Sequence, residues 1–197
     1  MSRRIPLPID GVLVALGSAL DAHAAVVLTA PPGSGKTTRV PPAVASMVEG
    51  RVLLLQPRRV AARSCARRIA YEDGTALGSR VGYWVRFDRK ATDETEILVL
   101  TEGMLTRMLQ ADPFLEGVGA VILDEFHERS LYSDLALAML AEVLASARPD
   151  LKLIVMSATL DADPVVDFLG GPEAVPVIGA EGRCFEVEHI HQPVDKD

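Results

Sequence analysis

Short, mostly apolar runs rich in β-branched residues recur along this chain, separated by longer stretches in which apolar positions return every three or four residues. The runs are Ala25–Thr29, Val52–Gln56, Ile97–Leu100, Val118–Leu123 and Leu151–Met156, and several end at a Gly, a Pro or an acid. Runs of this kind fit strands buried on both faces of a parallel sheet. Val81–Phe87 reads as one more strand. Helix candidates fall in between, at Lys36–Glu49, Val60–Tyr71, Glu102–Gln110 and Leu131–Ala147. The alternation predicts an α/β fold: a doubly wound, mainly parallel sheet with helices on both faces.

Two places interrupt the pattern. Pro41-Pro42 falls inside the first helix candidate, so that helix either ends there or kinks. After residue 180 the pattern thins. Residues 1–180 read as one domain, and 181–197, with a strand-like Phe185–His191, as an exit strand or linker toward a part of the protein beyond Asp197. Met1 reads as a natural start and the far end as a truncation.

Composition changes this picture little. At 197 residues and 49% hydrophobic, the chain suits one sizeable domain with its own core. No apolar run approaches the roughly 20 residues needed to cross a bilayer. Pro6, Pro8 and Asp10 break up the segment that a secretory signal would need. Two cysteines, Cys65 and Cys184, are too few for a disulfide framework, so a cytoplasmic location with reduced thiols is expected.

Charge adds more. A net −7 argues against a general nucleic-acid binder. Yet Arg51 to Lys90 holds ten basic residues against three acids. That stretch is either a solvated helix face or an anion-binding face, and its arginines suit phosphate forks.

Two motifs carry chemistry. Gly33-Ser34-Gly35-Lys36-Thr37 follows a strand and opens a helix. Glycines there let consecutive N–H groups turn toward one anion at a helix N-terminus. Lys36 would reach the β- and γ-phosphates, and the Thr37 hydroxyl would ligate Mg2+. Ala30 stands where the full pattern has its first Gly. Asp124-Glu125-Phe126-His127 follows the strand Val121-Ile122-Leu123. Asp124 at a strand's carboxyl end would hold Mg2+ through water, and Glu125 would orient or deprotonate the attacking water. His127 alone would read as structural; its spacing from Asp124 makes it a candidate.

Taken in order, the blocks resemble the first RecA-like domain of superfamily 2 helicases of the DEAH/RHA group. Gly33–Thr37 resembles motif I, Gln56–Ala62 motif Ia, Val81–Phe87 the group's Gly-Tyr-x-(Ile/Val)-Arg-Phe segment, and Thr101–Leu105 motif Ib. Asp124–Arg129 resembles motif II and Ser157-Ala158-Thr159 motif III. Ala30-Pro31-Pro32-Gly33 and Asp-Glu-Phe-His are most similar to the bacterial HrpB-type members, with Phe126 replacing the usual Ala.

The resemblance implies a RecA-like P-loop NTPase domain using ATP and Mg2+ to drive movement on single-stranded nucleic acid, RNA before DNA. It implies nucleotide contacts from Pro32, Gly33, Ser34, Gly35, Lys36, Thr37 and Thr38, and a base-stacking role for Arg68. Metal contacts fall to Thr37, Asp124 and Glu125. Nucleic-acid contacts fall to Arg58, Arg59, Thr101, Glu102 and Gly103, and coupling of hydrolysis to movement to Ser157 and Thr159. It also implies a second RecA-like domain in cis, so the isolated chain is expected to be monomeric with weak activity. No upstream Gln motif reads adenine, so relaxed nucleobase choice is expected. Two rival readings stay open: a P-loop NTPase or kinase acting on a small molecule, and a nucleic-acid-binding module without turnover.

Overall fold

A computed structural model describes residues 5–158 and 162–181. The described residues form an eight-stranded sheet flanked by six helices. In chain order the strands are β1 (Ala25–Thr29), β2 (Arg51–Gln56), β3 (Val81–Val85), β4 (Asp88–Lys90), β5 (Ile97–Thr101), β6 (Val118–Leu123), β7 (Lys152–Ser157) and β8 (Val177–Gly179). The helices are α1 (Leu13–Ala22), α2 (Lys36–Ala45), α3 (Arg59–Asp73), α4 (Glu102–Ala111), α5 (Leu131–Ser146) and α6 (Asp163–Phe168), with 3-10 turns at Pro8–Val12 and Phe126–Glu128. Spatial order is β4-β3-β5-β2-β6-β7-β1-β8. Every pairing is parallel except the β3–β4 hairpin. The expected α/β, RecA-like architecture is therefore the observed one.

The apolar strand runs divide cleanly because successive side chains point to opposite faces. Val26, Leu28, Val52, Leu54, Ile122 and Ile154 pack under α1, α2 and α3. Val27, Leu53, Leu55, Leu98, Val121 and Leu153 pack under α4, α5 and α6. Each such residue, fully buried, contributes about 1.5–3 kcal/mol. Two independent cores thus clamp one sheet, and the carboxyl ends of its parallel strands share one edge.

Several boundaries depart from the sequence reading. The third strand stops at Val85 rather than Phe87, because Phe87 adopts φ +66° in the turn to β4. α2 runs through Pro41 and Pro42 but ends at Ala45, short of Glu49. Pro41 cannot donate to the Thr37 carbonyl. The Cys65 Sγ lies 3.9 Å from that freed oxygen and takes the missing donor's place. α1, β4, α6 and β8 were not anticipated. The strand expected at Phe185–His191 and the second cysteine, Cys184, lie outside the described residues.

Candidate active site

Five of the six motif blocks sit at the carboxyl end of a strand; the other, Val81–Phe87, forms β3 and the turn after it. β1 leads to the phosphate loop, β2 to Pro57-Arg58, β5 to Thr101, β6 to Asp124 and β7 to Ser157-Ala158. In open α/β sheets ligands bind at that edge.

The phosphate loop is shaped by backbone torsion. Gly33 and Gly35 adopt φ +78° and +93°, a region costly to any residue with a Cβ. At Gly35 a Cβ would also lie 2.5 Å from Leu7 Cδ1. The loop is braced from behind: Ile9 N–H donates to the Ser34 carbonyl at 3.2 Å. Arg39, nearly buried, donates to the Ile5 carbonyl at 3.1 Å. Gly35 N-caps α2 without a side chain; the Thr38 N–H donates to the Gly35 carbonyl at 3.1 Å, and the Lys36 and Thr37 N–H groups ahead of it lie where a helix has no carbonyl to offer.

β6 brings its acids to this loop. The Thr37 hydroxyl donates to Asp124 Oδ2 at 2.6 Å. Gln56 Nε2 donates to the same oxygen, also at 2.6 Å. The Glu125 N–H donates to Asp124 Oδ1 at 2.9 Å. Asp124 is only 4% exposed, and burial pushes its carboxyl above the ordinary range despite the Thr37 and Gln56 bonds and the nearby Lys36 charge. Lys36, also 4% exposed, places Nζ 3.3 Å from Glu125 Oε1. Glu125 is held at φ +51°, ψ +36°, a left-handed conformation that non-glycine residues seldom adopt and that turns its carboxylate back over the loop.

His127 links this turn to β7. Its Nδ1 accepts from the Ala158 N–H at 3.3 Å, so the neutral ring carries its proton on Nε2. Glu125 Oε2 lies 3.4 Å from the same Nδ1. Nδ1 cannot accept from Ala158 and donate to Glu125 at once, so a doubly protonated ring would exchange one partner for the other. Ser157 is buried, and its carbonyl accepts from the Ala30 N–H at 3.0 Å, tying the end of β7 to the start of the phosphate loop. Thr159 lies outside the described residues.

The remaining candidates are placed as follows. Pro32 is exposed in the loop turn, and Thr38 lines a cavity of about 490 Å3 with Asp10, Arg39 and Arg80. Arg68 Nε donates to Glu72 Oε1 at 2.6 Å, and Glu72 also pairs with Arg39 at 3.4 Å, joining α3 to α2. Arg58 pairs with Glu128, and Arg59 donates to the Arg86 carbonyl at 3.0 Å. Thr101 N-caps α4. A Cβ on Gly103 would meet nothing within 4 Å. Glu102 turns inward and accepts from the Ser130 hydroxyl at 2.8 Å; burial, ahead of the Glu128 and Asp134 charges, raises its carboxyl.

Gln56 is the functional residue that sequence reasoning left without a role. Its signal was there: a lone amide closing the buried apolar run Val52–Leu55.

A magnesium–nucleotide complex fits these residues. Ser34 Oγ is buried in the loop with no hydrogen-bond partner among the described residues. Thr37 and Asp124 stand together at the loop's mouth. No cluster of three or more His, Cys, Asp or Glu able to hold a metal occurs among the described residues. Magnesium needs no such cage, since it binds through one or two carboxylates, phosphates and water.

Comparison with known proteins agrees with this geometry. Residues 14–168 match the DEAD/DEAH box helicase family. The chain is 49% identical over 190 residues to the ATP-dependent RNA helicase HrpB of Escherichia coli, covering 95% of this chain and 23% of that protein. It is 42% identical to human probable ATP-dependent RNA helicase DHX35, covering 89% of this chain and 27% of that protein. It is similar to a crystal structure of the Escherichia coli DEAH/RHA helicase HrpB with TM-score 0.87 and 50% identity, covering 92% of this chain and 23% of that one. The chain therefore spans about a quarter of the length of the relatives it matches. On the matched span, the ordered motif blocks and the shared fold, the chain belongs to the DEAD/DEAH box helicase family.

Proposed function

We propose that this chain is the ATP-binding motor domain of an ATP-dependent RNA helicase, working opposite a second RecA-like domain of a longer protein. The observation that carries the reading is the meeting of the phosphate loop with the acidic turn: Thr37 and Gln56 on Asp124, Lys36 on Glu125. In this reading the loop N–H groups, Lys36 and Thr37 bind the triphosphate. Thr38 and Pro32 border it, and Arg68 supports the base. Thr37 and Asp124 would hold Mg2+, with Glu125 adjoining, and the ion would neutralise charge between the β- and γ-phosphates.

Lys36 leaves Glu125 for the γ-phosphate, which frees the Glu125 carboxylate to orient and deprotonate water. His127 steadies that carboxylate and reports to the Ser157–Thr159 segment through Ala158. Single-stranded RNA would cross the ends of β2 and β5, at Arg58, Arg59, Thr101 and Gly103, where guanidinium forks and helix N-termini suit phosphates. Relatives named as RNA helicases favour RNA over DNA as the substrate. No helix among the described residues is long and apolar enough to cross a membrane. We infer a cytoplasmic location from the reduced-thiol composition. The isolated domain is expected to be a monomer with little turnover.

The test separates binding from chemistry. Lys36→Ala should lose ATP affinity, whereas Glu125→Gln should keep it and lose hydrolysis by roughly two orders of magnitude or more. Isothermal titration and single-turnover hydrolysis in the longer protein read the two effects. An active Glu125→Gln enzyme would remove Glu125 from its role.

A further inference from the structure

The acidic turn does not end at His127. Glu128 closes the 3-10 turn, and its N–H donates to the Glu125 carbonyl at 2.9 Å. Its carboxylate reaches across to the end of β2. Arg58 Nη2 lies 3.1 Å from Glu128 Oε1 and 3.0 Å from Oε2. Two residues on, Ser130 caps α5 and donates to Glu102, the first residue of the helix that Thr101 opens. The segment 125–130 is therefore tied at one end to the catalytic edge and at the other to both strand ends read above as nucleic-acid contacts.

The pairs differ in kind. Arg58 and Glu128 are 73% and 37% exposed. An ion pair in that position is weak and readily exchanged. A polynucleotide phosphate offers the same guanidinium the same kind of acceptor, and it arrives as one of many linked phosphates. When a phosphate takes Arg58, Glu128 loses its cation while the Glu102 carboxylate, which already feels the Glu128 charge, stays near. An unpaired Glu128 then turns toward water, and the short turn that also holds Glu125 and His127 loses its tie to the end of β2.

We propose that Glu128 is a positioning residue: it occupies Arg58 when nucleic acid is absent and passes nucleic-acid occupancy at Arg58 to the catalytic turn Asp124–His127. This rests on the reading of Arg58 as a phosphate contact. Three consequences follow from the exchange. Glu128 competes with the polynucleotide, so removing its charge tightens binding. The gain needs Arg58. And the reciprocal influence of nucleotide and nucleic acid on one another passes partly through Glu128.

The test uses Glu128→Gln, which keeps the shape of a half-exposed side chain, together with Arg58→Ala and the double variant. Anisotropy of a fluorescein-labelled oligouridine is titrated with each, with and without magnesium and a non-hydrolysable ATP analogue. Glu128→Gln should bind oligouridine about two- to five-fold more tightly at low salt, with the gain shrinking as salt screens the charges. The gain should vanish in the Arg58→Ala background, and the nucleotide-dependent change in affinity should shrink in Glu128→Gln. Structural damage would lower affinity rather than raise it. Unchanged or weaker binding by Glu128→Gln overturns the proposal, as does a gain that persists without Arg58. If Arg58→Ala binds as well as the parent, the phosphate-contact reading fails, and this inference fails with it. Loss of affinity in Arg58→Ala with a silent Glu128→Gln overturns the inference alone.

Discussion

Where β1 and β6 end, charges are largely buried and paired; a few residues along the same edge, where β2 and β5 end, they stand in water. Asp124 and Lys36 are each 4% exposed, and each acidic oxygen there has a named partner. Arg58, by contrast, is 73% exposed and holds Glu128 through a single nitrogen. In the first region removing one partner strands a desolvated charge, which is costly. In the second, water takes the place of a lost partner at little cost. The buried side is thus assembled in advance, and the exposed side is built for exchange.

The largest test of this contrast is Gly35→Ala. The φ of +93° and the approach to Leu7 should together cost about 1–3 kcal/mol or more and abolish nucleotide affinity. Thermal unfolding and nucleotide titration measure both. Shortening Leu7 as well should not restore binding, because the torsion remains. Next comes Gln56→Leu, which fills the space but withdraws a donor from Asp124. It should lower unfolding free energy by about 1–3 kcal/mol in denaturant titration, whereas Arg58→Ala should change it by less than about 1 kcal/mol. The reverse order would break the comparison.

The smallest effect concerns Glu102, a buried acid beneath the exposed side. Its folded carboxyl is raised, chiefly by burial. In the window from the ordinary carboxylate value upward to the raised one, the folded chain keeps a proton that the unfolded chain has released. The stability this contributes is complete below the window and is lost as pH rises through it. Glu102→Gln is neutral throughout and retains an acceptor for Ser130. It should flatten this decline in melting temperature as pH rises above the ordinary carboxylate value. An unaltered pH profile would show that Glu102 does not carry it.

How much of this was readable beforehand depended on sequence distance. β1 and β6 were legible to the residue, because a buried parallel strand is an apolar run with sharp ends. The motif residues were legible because loop chemistry is local. β4 was not, since Asp88-Arg89-Lys90 has no apolar face and exists only as the return arm of a hairpin. β8 escaped because three partly exposed residues carry no period. Pro41-Pro42 argued for an interrupted helix, yet Cys65, on another helix, supplies a substitute donor. Gln56 on Asp124 and Arg58 on Glu128 join positions 68 and 70 residues apart, which no spacing rule announces.

The place of β1 in the sheet has a consequence for how the molecule comes to exist. β1 pairs with β7 from Ala25↔Leu153 to Thr29↔Ser157 and with β8 from Val27↔Val177 to Thr29↔Gly179. Both neighbours are made long after it. During synthesis from the N-terminus, the strand bearing the phosphate loop waits unpaired while β2, β3 and β5 can already associate. Made before every other described strand of the sheet, β1 is thus among the last to find its place, and the phosphate loop is set when the sheet closes.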